Sequence, residues 1–135
     1  LGACATQDVA QTKSVARFDA YPNMLFAALE SACSAPADTF RRLSRNSVEC
    51  RSYMPPQATA NAILNYDGTP EDLPQLVFKV DATPETPGYS VTFQAFLNVP
   101  QKSGPAVKVI HSSPAITRKM NAILSSAGGV PEPAV

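Results

Sequence analysis

The hydrophobic positions along this chain change their spacing several times, and each change marks a new element. Ala16, Phe18 and Ala20 alternate with polar residues from Ser14 to Ala20, as on an edge strand. Behind Pro22, which a first helical turn tolerates, Leu25, Phe26, Leu29, Ala32 and Cys33 form a stripe at helical spacing. The predicted helix is about twelve residues long and is closed by Pro36. Asp38 is placed to cap a short turn carrying Phe40 and Leu43, and Arg41, Arg42 and Arg45 lead from it into a strand, Asn46 to Met54. Pro55-Pro56 opens a second helical segment through Ala58, Ala62 and Ile63, with Gly68 as its left-handed stop.

The strongest strand signal follows the turn-rich stretch Thr69 to Pro74. Leu76, Phe78 and Val80 alternate against Lys79 and Asp81. Tyr89, Val91, Phe93, Ala95, Leu97 and Val99 alternate against Ser90, Thr92, Gln94 and Asn98. Joined by Thr83 to Gly88, they predict an antiparallel hairpin with one wet face. A third strand, Ala106 to His111, completes a meander. Ser113 then caps a final helix with Pro114 in its first turn, and Ile116, Met120, Ile123 and Leu124 are its buried stripe. Gly128-Gly129 ends it.

This order predicts an α+β domain over residues 14–128. Its antiparallel sheet carries helices on one face, the C-terminal helix among them, and a flexible tail follows over 129–135. A chain of 135 residues suits one such domain. Eleven basic residues balance eleven acidic ones. No basic tail or face is visible in the sequence, which argues against nucleic acid as a partner. No apolar run approaches the length of a membrane-spanning helix.

The first four residues, Leu1-Gly2-Ala3-Cys4, resemble the lipobox that ends the signal peptide of bacterial lipoproteins. The resemblance implies a diacylglyceryl thioether at Cys4, cleavage just before it, and acylation of the new amine, typically with palmitate. Small side chains at Gly2 and Ala3 suit a narrow protease groove, and a thiolate is the nucleophile that thioether formation needs. Residues 1–13 then read as lipobox and tether, the small polar stretch from Ala5 to Lys13 reaching at most about 30 Å. In that family an Asp after the Cys signals retention at the inner membrane. Ala5 stands there, so the resemblance implies the periplasmic side of the outer membrane, where several acyl chains anchor a protein stably.

Assigning Cys4 to lipid leaves Cys33 and Cys50. In an oxidising periplasm the pair implies one disulfide, closing a loop of about fifteen residues and worth roughly 3 kcal/mol. Helical and strand spacing both turn these thiols inward; two buried free thiols are the alternative. The element order is also similar in outline to the helix-grip modules of BamC-type lipoproteins of the outer-membrane assembly machinery, through a last helix that follows a strand meander.

Catalytic parts are few. His111, the sole histidine, adjoins Ser112 and Ser113, but Ser113 is explained as a helix cap and Ser112 is too close in sequence to partner it. Glu71-Asp72 lies between prolines in a surface turn. One histidine and no C-x-x-C leave zinc without a closed ligand set, and no cofactor fingerprint occurs. Arg41, Arg42 and Arg45 are the sharpest charge concentration, suited to anionic lipid heads or an acidic partner. Phe96, an aromatic on the polar side of its strand, suggests a partner surface or a covering helix.

The sequence therefore reads as a non-enzymatic, periplasm-facing lipoprotein, an assembly or interaction module with an envelope protein as partner. The alternative is a carrier or sensor of a small amphipathic ligand held between sheet and C-terminal helix, and an apolar pocket there is the discriminating observation. The lipid assignment has a direct check: expressed as a full precursor in a Gram-negative host, Cys4→Ser moves the protein from the outer-membrane fraction to the soluble one, and unchanged membrane retention of that variant refutes acylation.

Overall fold

The computed structural model describes residues 13–110 and 114–131. Along the chain run β1 (Lys13–Phe18), α1 (Asn23–Ala32), β2 (Thr39–Ser44), β3 (Ser47–Tyr53), α2 (Pro56–Asn65), β4 (Gln75–Pro84), β5 (Tyr89–Val99), β6 (Val107–Ile110), α3 (Pro114–Ser126) and β7 (Val130–Pro131). The strands form one antiparallel seven-stranded sheet in the order β2-β3-β4-β5-β1-β7, with β6 also paired to β5. This is an α+β fold with α3 packed on the sheet.

The expected hairpin is the centre of the sheet, with Phe78 opposite Ala95, Val80 opposite Phe93 and Ala82 opposite Val91. The same alternation carries outward to Val48 and Cys50 on β3 and to Ala16 on β1. These side chains meet Leu25, Phe26 and Leu29 of α1 and Met120 and Leu124 of α3 in one buried core. Each fully buried aliphatic or aromatic side chain there stabilises the fold by about 1.5–3 kcal/mol. We call this the helix face and its opposite the far face. α2 stands apart from that core: its connection to β4 meets Val99 near Gly68, and Gln101 donates to the carbonyls of Tyr66 and Val99.

Four local expectations change. The stretch expected as a capped turn is strand β2, a six-residue partner to β3 with Phe40 opposite Cys50. Asp38 instead closes the preceding turn backward, accepting from the Ala35 N–H. The strand was masked by Arg42, which points to the helix face where an apolar residue would have revealed the period; an inward charge is a common guard on an edge strand.

At the end of α2 the left-handed residue is Asp67, with φ 58°, and not Gly68. Gly68 sits in close quarters instead: a Cβ there would lie 3.1 Å from Val99 Cγ1 and 3.2 Å from Ile63 Cα, tighter than ordinary contact. α3 ends as expected, with Gly128 at φ 99° and a Schellman pair of bonds, Gly129 N–H to Leu124 O and Gly128 N–H to Ser125 O. The chain does not then leave the sheet, since Val130 and Pro131 pair with Arg17 and Ala16 of β1. The expected tail thus begins with a strand. The lipobox with Cys4, the tether through Thr12, His111, Ser112, Ser113 and residues 132–135 lie outside the described residues.

Cys33, at the C-cap of α1, is disulfide-bonded to Cys50 in β3, their Cα atoms 5.8 Å apart. The bridge ties α1 to the edge half of the sheet across a separation of 17 residues. The loop-closure entropy it removes from the unfolded chain is worth about 3 kcal/mol. Cys33→Ala/Cys50→Ala is accordingly expected to melt about 10 °C lower by calorimetry; an unchanged melting temperature would deny the bridge its structural role.

Candidate ligand-binding site

A cavity of about 180 Å³ opens between the two core helices and the helix face. Its floor is Phe78 and Phe93, on neighbouring strands and in edge-to-face contact at 6.2 Å. Leu29 walls it from α1, Met120 and Ile123 from α3, and the Cys33–Cys50 disulfide closes one side. Ala32 and Ser52 also line it, and both are too short to fill the gap. Lys119 is the one charged lining residue; it and Ala32 are exposed, which puts them at the mouth. The cavity is thus apolar inside with a single cation at its rim. That pattern suits a small apolar body bearing an anionic group.

The three arginines do not form one patch. Adjacent positions on a strand face opposite ways, so Arg41 and Arg42 part company on β2. Arg41 turns to the far face, 3.7 Å from the Glu49 carboxylate. Glu49 is buried, and Arg51 donates to the same oxygen, Nε to Oε2, at 2.6 Å. Arg42 turns to the helix face, its guanidinium 5.3 Å above the Phe26 ring, and donates to the Arg45 carbonyl. Arg45, in the β2–β3 turn, lies 5.7 Å over Tyr21, whose hydroxyl donates to the same Arg45 carbonyl. Arg42 and Arg45 thus clamp the start of α1 against the hairpin turn.

Phe96 is covered by its own chain: it is 7 % exposed, flanked by Val77 and Ile110, with the Lys108 ammonium 4.3 Å above the ring. Glu71 and Asp72 sit in a surface turn, Glu71 donating its backbone N–H to Thr69 Oγ1. The Asp38 carboxylate lies within 4.8 Å of both cysteine sulfurs, which in the disulfide present no thiolate to a metal. Comparison with protein-family models, curated proteins and solved structures finds no match.

Sequence reading did not single out Ala32, Ser52 or Lys119 as site residues. The one signal was position: Lys119 directly precedes Met120, on the flank of the apolar stripe of α3. For the arginines the geometry makes a stability prediction. Arg42→Ala loses a cation–π contact and a hydrogen bond and is expected to cost about 1 kcal/mol. Arg41→Ala, its side chain 55 % exposed, costs under about 0.5 kcal/mol. Urea unfolding measures both, and the reverse order would refute the split.

Proposed function

We propose that this chain is a non-enzymatic envelope lipoprotein domain that carries or senses a small amphipathic anion, held with its apolar part between α1, α3 and the sheet. The observation that supports this reading is the apolar cavity with Lys119 at its mouth. Its size sets the ligand's size. A cavity of about 150 Å³ accommodates benzene, whereas drug-sized ligands occupy about 300 Å³ or more. A carboxylate or phosphate ester with one ring or about six to eight carbons fits; a whole lipid does not. Lys119, on a flexible stem, reaches the anionic head as a point charge, and the Ser52 hydroxyl is the other polar group within the lining.

The cavity lies on the helix face, so this reading makes no use of the charges on the far face of the sheet.

The ligand reading is tested by titrating the folded protein with straight-chain carboxylates of increasing length and following amide shifts. Each added methylene that becomes buried contributes about 0.8 kcal/mol, so affinity is expected to rise roughly fourfold per carbon and to level off at about eight carbons. Ala32→Phe, at the exposed mouth, removes binding, and Lys119→Glu lowers affinity for carboxylates while sparing alkyl ammonium ions. A flat response along the series, or binding indifferent to Ala32→Phe, refutes the site.

A further inference from the structure

The strand register separates the charges of a formally neutral chain. Lys13 pairs with Gln94, Gln94 with Lys79, Lys79 with Glu49, and Glu49 with Arg41. This row crosses five strands on the far face, about 19 Å at ordinary strand spacing. Arg17 joins the same face opposite Ser90, Arg51 opposite Val77, and Lys108 opposite Asn98. Six of the chain's eleven lysines and arginines therefore lie on the far face. Three carboxylates answer them: Glu49, Asp81, and Glu85, which reaches Arg17 from the hairpin loop.

The guanidinium groups on this face are engaged within the chain. Arg41 and Arg51 converge on Glu49, and Arg17 holds Glu85. Recognition of a particular carboxylate on an acidic protein would call for forks aimed outward. What the far face presents instead is an excess of positive charge spread over a broad sheet, with Lys13, Arg41 and Lys108 exposed. A field of that kind matches a partner whose negative charge is itself spread over a plane.

We propose that the far face of the sheet docks on an anionic bilayer surface, attracted by its excess charge. Each lysine or arginine brought to such a surface increases partitioning about fivefold. Lys13, at the start of β1, is the end member of the basic row. The cavity, on the helix face, is left open to solvent when the sheet is docked. The proposal does not rest on the ligand reading, and the chain prepared without acylation tests it apart from any anchor.

The experiment is co-sedimentation of the unacylated 135-residue chain with vesicles of phosphatidylcholine, with and without phosphatidylglycerol. Binding to the anionic vesicles is expected to exceed that to neutral ones by about tenfold or more at low salt, and to fall away near about 0.3 M salt. Lys13→Glu/Lys108→Glu removes the preference. Lys102→Glu/Arg118→Glu, an equal change of net charge away from the face, keeps it within about twofold. Melting curves establish that each variant is folded, and Lys13→Gln/Lys108→Gln replaces the first pair if it is not, with most of the preference for anionic vesicles expected to be lost. Equal loss in both pairs, no preference for phosphatidylglycerol, or tighter capture by poly-glutamate than by anionic vesicles overturns the proposal.

Discussion

β5 is paired along both edges, to β4 over Tyr89–Asn98 on one side and to β1 over Tyr89–Gln94 and then β6 over Phe96–Val99 on the other. Because side chains alternate strictly along a strand, this one ladder decides which side of the sheet receives almost every neighbour. A slip of one residue would turn Val91, Phe93 and Ala95 outward and bring Thr92 and Gln94 under the helices. The floor of the cavity, the seat of the disulfide and the basic row all inherit their side from that register.

That dependence also explains what could be read in advance. The alternation of Leu76 to Val99 and the stripes of α1 and α3 are strong because they face a continuous core, and their elements and order were legible from spacing alone. β2 was hidden because Arg42 occupies an inward position, stacked on Phe26; its apolar surface is supplied by a stem and a ring from different elements. Asp67 took the left-handed position that Gly68 appeared suited to, and the glycine sits instead in close quarters with Val99 and Ile63. The short strand β7 carries no periodicity in two residues. Neither the cavity nor the charge separation is written locally: one depends on how far α1 stands from α3, the other on which residues become cross-strand neighbours.

The cavity has an energetic side. A closed and empty void of this volume would forgo roughly 4 kcal/mol of packing, a substantial share of a domain's net stability. Here the gap is not sealed, and the lining residues Ala32 and Lys119 are exposed, so the loss is smaller. The disulfide fixes the C-terminal end of α1 to β3 just where small side chains leave the core thin. A covalent tie at that point keeps the helix from collapsing onto the sheet or drifting from it, so the shape of the gap is held by a bond and not by packing alone.

The pairing of β7 with β1 makes the two ends of the described domain neighbours on one sheet margin, and being antiparallel the backbone at Pro131 heads toward the Lys13 end. Chain connectivity is therefore nearly circular. Joining the ends by a short linker and opening the backbone elsewhere, as in the exposed Lys102–Gly104 turn between β5 and β6, should preserve every pairing while changing which segment is synthesised first. The order of elements along the gene is thus one of several that this arrangement of strands allows.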